Sequence, residues 1–162
     1  VLEVALVLRG TRPLGAEPVD VEVAGRFFAD WIGHETCECL AVLLIDSRRQ
    51  ALACELVSRG GIGSVPIHPG PLLRTAVREG AAGLYVSHNH PSGDPSPSDA
   101  DVEATARLCA AAGIVQVQVY DHLVCAAGGR WASIREVLEE RTAAERADRA
   151  ARACADRYRR SR

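Results

Sequence analysis

Two histidines one residue apart and a carboxylate eleven residues later, His88, His90 and Asp101, are side chains able to bind a transition metal. They fall in the stretch Val86-Ser87-His88-Asn89-His90-Pro91-Ser92-Gly93-Asp94-Pro95-Ser96-Pro97-Ser98-Asp99-Ala100-Asp101. Before it, the apolar run Ala82 to Val86 reads as a buried strand; after it, Val102, Thr105, Leu108 and Ala112 recur at helical spacing. The stretch is therefore a strand end, a Pro/Gly-rich loop and a helix start. Residues i and i+2 of a strand point to one side, so His88 and His90 can face one point. With Ser98 as N-cap, Asp101 lies in the first helical turn and can face the same point. Two imidazoles, one carboxylate and an open fourth position form a catalytic zinc pattern rather than a closed structural one. Ser98-x-x-Asp101 is also spaced as a capping box, in which both side chains satisfy backbone donors. The two readings are compatible, since a helix N-terminus can present Ser98 and Asp101 to both tasks.

A second carboxylate stands out. Glu55 lies within the apolar segment Ala51 to Val57, where a charge is costly unless it is paired or functional. It either points to the solvated face of an edge strand or serves as a general base beside the metal, its pKa raised by burial and lowered by the cation.

His-x-His, seven residues, then Ser-x-x-Asp is the pattern of the JAMM motif of JAB/MPN metalloprotease domains. The string from His88 to Ser98 resembles the bacterial RadC-like branch of that family closely and without gaps, and a looser resemblance runs from about Phe27 to Glu136. The resemblance implies a JAB/MPN fold, related to the cytidine-deaminase-like fold, with zinc on His88, His90 and Asp101. It implies Glu55 as the proton-handling residue, Ser98 as a donor to the oxyanion, and hydrolysis of an amide, in the wider family often an isopeptide bond. The RadC-like branch has also carried a DNA-repair label, so a factor acting on or binding DNA is the alternative, and a catalytically silent JAB scaffold is another. A zinc deaminase needs His-x-Glu with Pro-Cys-x-x-Cys, and neither is present. The sequence departs from the branch in having Gly60-Gly61 where Gly-Thr is usual, and Gly70-Pro71 where a basic-acidic pair is usual. Both changes touch the rim of the expected cleft. Asp121-His122 matches an Asp-His of the family, and a supporting rather than ligating role is expected for it.

The 162 residues suffice for one domain with a proper core, and 48% hydrophobic with 25% charged residues is ordinary for a globular protein. No apolar run approaches a membrane span, no charged-then-apolar leader opens the sequence, and a cytoplasmic setting is expected. The six cysteines include no Cys-x-x-Cys pair, which argues against a zinc ribbon, and most lie in apolar segments as small hydrophobes. Net charge is −2 but uneven: residues 141–162 carry eight Arg against three acids, so the remainder is at −7. The body lacks the basic excess of a nucleic-acid-binding core, so nucleic-acid contact is expected only through the Arg-rich end. The expected partner of the body is a protein or peptide substrate.

The remaining elements must position these groups. Leu2 to Leu8 reads as a strand and Arg9 to Pro18 as a loop. Asp20 caps a helix to about Trp31, with Val23, Phe27 and Trp31 on its core face. Cys39 to Ile45 and Ala51 to Val57 form a hairpin across Asp46-Ser47-Arg48-Arg49. Arg59 to Pro71 is a loop whose His68 is a surface residue or a spare ligand. Leu72 to Glu79 is a helix ended by Gly80, and Asp99 to Ala112 a helix ended by Gly113. Ile114 to Tyr120 and Leu123 to Ala126 are strands flanking Asp121-His122. Gly128-Gly129 is a turn, and Ser133-x-x-Glu136 opens the last helix. Alternating hairpins and crossover helices predict a three-layer α/β/α domain with a mixed sheet. The domain is expected over 1–138, followed over 139–162 by an Ala/Arg-rich extension, helical or disordered.

Overall fold

The computed structural model describes residues 17–60, 67–144 and 146. The strand expected over Leu2 to Leu8, residues 61–66 of the loop expected over Arg59 to Pro71, and most of the Arg-rich extension lie outside them. Helix α1 (Val21–Ile32) is followed by β1 (Cys39–Ile45), β2 (Ala51–Arg59), α2 (Pro69–Arg78), β3 (Gly83–Asn89), α3 (Asp99–Ile114), β4 (Gln118–Ala126) and β5 (Arg130–Ser133). Helix α4 covers residues 134–144 and runs unbroken across the 138/139 position. The sheet order is β2-β1-β3-β4-β5. β3 and β4 pair in parallel and the other neighbours are antiparallel, so the sheet is mixed.

Period-two alternation divides the core into two layers. Leu40, Val42 and Leu44 of β1 with Leu84 and Val86 of β3 face Leu72, Leu73 and Ala76 of α2 and Ala104, Leu108 and Ala112 of α3. Ala41, Leu43 and Ile45 with Tyr85, Leu123 and Cys125 face Ala24, Phe28, Ala29 and Ile32 of α1. The result is the expected α/β/α sandwich. Among the described residues no helix is long and apolar enough to cross a membrane.

Several boundaries differ from expectation, each for a physical reason. The fully buried stripe of α1 is Ala24, Phe28, Ala29 and Ile32, whereas Val23, Phe27 and Trp31 are only partly buried. Small residues bring the helix close to the sheet: a Cβ on Gly25 would meet the Trp131 indole at 2.3 Å. Phe27 and Trp31 pack on each other at the flank, ring centroids 5.5 Å apart. Helix α2 starts at Pro69, because its first turn needs no backbone donor there. Helix α3 continues through Gly113 to Ile114, and the left-handed position falls instead on Gln116 (φ 57°).

The two strands expected around Asp121-His122 are one strand, β4. Its pairing with β3 passes from Leu84↔Val119 to Tyr85↔Asp121, so Tyr120 is an extra residue in a bulge. The bulge breaks the alternation, and in the sequence that break resembles a strand end. It also has a consequence for the site. Val117 and Val119 face α2 and α3, and strict alternation would send Leu123 and Cys125 after them. After the bulge these two face α1 instead, and His122 turns toward α3. β5 is an element beyond those expected; Gly128 and Gly129, at φ 80° and 73°, fold it back onto β4.

Candidate metal centre

His88 is the penultimate residue of β3, aligned with Leu40 of β1 and Val124 of β4, and is 4% exposed. His90 follows the strand, its N–H donating to the Cys125 carbonyl at 2.8 Å. The loop then turns at Gly93 (φ 85°), a backbone state that glycine reaches without strain, and reaches Ser98, the N-cap of α3. The structure brings His88, His90 and Asp101 together: one ligand atom of each lies within 4.8 Å of the others.

The capping box is real, and Asp101 divides its two oxygens between the tasks. Oδ2 accepts from the Ser98 N–H at 2.8 Å and from the Ser98 hydroxyl at 2.6 Å. Oδ1 lies 3.3 Å from His88 Nε2. Ser98 therefore holds the Asp101 carboxylate in place, and its hydroxyl proton is committed to Asp101.

The hydrogen-bond partners assign both imidazole tautomers. Thr105 Oγ1 donates its proton to the Asp101 carbonyl at 2.7 Å, so it can only accept from His122 Nδ1 at 2.6 Å. His122 thus carries its proton on Nδ1, and its bare Nε2 accepts from His88 Nδ1 at 2.9 Å. His88 Nε2 is then bare. His90 Nδ1 lies 2.8 Å from the Asp94 carbonyl, which can only accept, so in the neutral imidazole that a metal requires His90 Nε2 is bare as well. The two bare nitrogens face each other at 3.1 Å. Two lone pairs at that distance repel unless a cation lies between them. Donors 2.0–2.1 Å from a tetrahedral ion are themselves ~3.3 Å apart, which matches the spacing here.

Burial lowers the His88 pKa from 6.5 to about 4, with Asp101 pulling the other way and His90 reinforcing the drop. Burial also holds His122 well below its ordinary value. By distance alone His88 and Asp101 form an ion pair, but at neutral pH the imidazole is uncharged. We favour the neutral form because burial outweighs the carboxylate, and a neutral imidazole is what a metal requires.

Glu55 is not brought into the cluster. It is 8% exposed and lies on the sheet face that carries His88, aligned with Val42. β2 is two strands from β3, ~10 Å at the usual spacing. Glu55 Oε2 is 3.2 Å from Arg78 Nη2 of α2, so the carboxylate is buried and paired rather than solvated. His68 occupies the N-cap position of α2 without capping it and is no part of the cluster. It lines a cavity of about 180 Å³ with Leu40, Val57, Arg59, Gly60 and Pro71. Leu40 aligns with His88, so the cavity adjoins the metal centre, and Pro71, one of the departures from the family pattern, lies on its wall.

Thr105, Asp94 and Arg78 were missed by sequence reasoning. Thr105 has a signal, four residues after Asp101 on one helical face, but the same spacing also fits the apolar stripe. Asp94 acts through its backbone and Arg78 through long-range packing, which leave no local trace.

Comparison with known proteins fits this architecture. Residues 19–141 match the family described as RadC-like JAB domain. The chain belongs to the RadC-like JAB domain family. A UPF0758 protein of Xanthomonas campestris pv. campestris is 40% identical over 109 residues, covering 67% of this chain and 48% of that protein. One of Symbiobacterium thermophilum is 39% identical over 110 residues, 68% of this chain and 47% of its own. One of Stenotrophomonas maltophilia is 38% identical over 104 residues, 64% of this chain and 44% of its own. The RadC-like chain spans about half the length of the curated relatives it matches.

Proposed function

We propose that this RadC-like domain is a zinc-dependent amide hydrolase, a peptidase or isopeptidase, with the ion held by His88, His90 and Asp101. The observation that carries the reading is the pair of bare Nε2 atoms at 3.1 Å beside a carboxylate oxygen. Zinc, when bound, is a Lewis acid that polarises a carbonyl and brings the pKa of water to ~7. The protein's part is to hold three donors in the correct protonation state and to move a proton. The Thr105–His122–His88 chain and the Asp94 carbonyl orient the imidazoles. Glu55 is assigned proton transfer to the leaving amine. Arg78 anchors its Oε2, so Glu55 reaches the reacting atoms only by turning from that pair. Ser98 is assigned donation to the oxyanion, for which its hydroxyl must leave Asp101.

The substrate we favour is an extended protein or peptide segment. β2 is the outer strand of the described sheet, which suits strand addition, and the adjoining cavity is wide enough for one small apolar side chain. Nucleic-acid contact, if made, is assigned to the Arg-rich residues 141–162. A cytoplasmic setting suits the free thiols of Cys37, Cys39, Cys54, Cys109 and Cys125.

The test is metal analysis of the purified chain, joined to assays on fluorogenic peptides, isopeptide-linked conjugates and DNA, with and without a chelator. Stoichiometric zinc and chelator-sensitive amide cleavage, both lost in His88→Ala, are expected. A chain that neither holds nor takes up a divalent metal sinks the reading. Chelator-sensitive DNA cleavage without amide cleavage would favour the nucleic-acid alternative.

A further inference from the structure

A second group of metal-ligating side chains lies across the end of β3 from the histidines and has no part in the proposed hydrolysis. Cys39 opens β1, Cys37 precedes it by two residues, and Glu35 lies in the turn after α1. One ligand atom from each, the two sulfurs and a carboxylate oxygen, lies within 4.8 Å of the others. Cys39 is fully buried; Cys37 and Glu35 are partly buried.

The backbone that carries these donors is fixed from outside. Asn89 Oδ1 accepts from the Cys39 N–H at 2.7 Å, and Asn89 Nδ2 donates to the carbonyls of Glu35 and Cys37 at 3.2 Å each. The Gly60 N–H donates to the Glu38 carbonyl at 2.7 Å. Asn89 is the residue between His88 and His90, so one amide braces the thiol segment against the strand that carries the first centre.

Arg59 covers the group. Its guanidinium is paired with the Glu35 carboxylate. Without an ion the two sulfurs lie beside a Glu–Arg pair.

We propose that Glu35, Cys37 and Cys39 form a second cation site, selective for a thiophilic divalent ion such as zinc or cadmium. The charges balance in both states. Two thiols, a carboxylate and a guanidinium sum to zero. Two thiolates, a carboxylate, a guanidinium and a divalent ion also sum to zero, with two protons released to solvent. Thiolates 2.3 Å from an ion are ~3.8 Å apart, so the group need close by only about an ångström. Arg59, whose side chain is 40% exposed, can release the Glu35 oxygen toward solvent as it does so.

The test is cadmium titration of the full, reduced, chelator-stripped chain, followed by ultraviolet sulfur-to-cadmium charge-transfer absorption and by total bound metal. Two equivalents are expected, one with the sulfur band and one silent. Cys37→Ser/Cys39→Ser should lose the band and keep the silent equivalent, whereas His88→Ala should do the reverse. Loss of the silent equivalent in the wild type alone would count against the histidine centre and leave this site standing. Glu35→Gln keeps both thiols and guards against a double variant that fails to fold. It should weaken the banded equivalent by at least ~tenfold, since even residues one bond removed from an ion cost that much. No band in the wild type, an undiminished band without Cys37 and Cys39, or unchanged affinity in Glu35→Gln would each overturn the proposal.

Discussion

The two donor clusters at the end of β3 differ in how they keep charge out of the interior. The histidine centre needs no counter-ion for its buried members: His88 and His122 are neutral, and their protons are spent on a chain that ends at a backbone carbonyl. The thiol cluster keeps its carboxylate against a guanidinium at the surface. The first is set for an incoming ion before it arrives; the second must rearrange a side chain and shed protons. Preorganisation of that kind favours the histidine centre as the tighter site and the one suited to catalysis.

The sharpest way to break the comparison is to remove a donor. His88→Ala or Asp101→Ala should abolish stoichiometric metal at the histidine centre, read by metal analysis, with the domain still folded by circular dichroism. Retained metal would show that the donors are elsewhere.

Next in size is Glu55→Gln. It should keep the metal and cut amide hydrolysis by ~10²–10⁴-fold, the usual worth of a positioned acid–base group. Metal loss in this variant would instead make Glu55 a ligand, and undiminished turnover would remove it from the reaction.

Thr105→Val touches no donor but takes away the acceptor of His122 Nδ1–H. Metal affinity should fall ~10–100-fold, the range for groups that orient a ligating histidine. The His88 tautomer, read from its ring ¹⁵N shifts in the metal-free protein, should change from one bare nitrogen to a mixture. Affinity unchanged from wild type would mean that packing alone aligns the ring.

Acid titration separates the histidine centre from its surroundings. His88 has a folded pKa of about 4 against 6.5 unfolded, so between those values the unfolded chain binds the extra proton. The metal-free protein should therefore be most stable above about 6.5 and lose stability as pH falls toward about 4, read as a declining urea midpoint. Added zinc should delay that decline. A flat profile across the window would contradict a buried neutral His88.

The smallest effect expected is that of Ser98→Ala. It removes the cap of α3 and the anchor of Asp101 Oδ2, at ~1 kcal/mol of stability, with a modest loss of metal affinity. A loss of hydrolysis far beyond the loss of metal would support Ser98 as the oxyanion donor.

Much of the centre was legible because its instructions are local. The His-x-His pair ends a strand, the loop after it is dictated by Pro91, Gly93, Pro95 and Pro97, and Ser98-x-x-Asp101 caps the next helix, all within one continuous stretch. Such features depend on φ/ψ preferences and on i, i+2 or i, i+3 spacing, which a sequence states directly. The mixed sheet and the three layers followed from the same alternation of apolar runs and turns.

What the fold alone decided depends on pairing between distant segments. The bulge at Tyr120 turns His122 toward α3 and sets it against His88, thirty-four residues away; one residue fewer would put it on the α1 side. The pairing of Glu55 with Arg78 depends on how α2 packs over β2, which no spacing encodes. Asn89 bracing Cys37 and Cys39 across fifty residues belongs to the same class. By itself the sequence determined which side chains could bind a metal. The tertiary structure decided which nitrogen of His88 and of His122 is bare, because their proton placement depends on partners that only the packing of α3 on the closed sheet supplies.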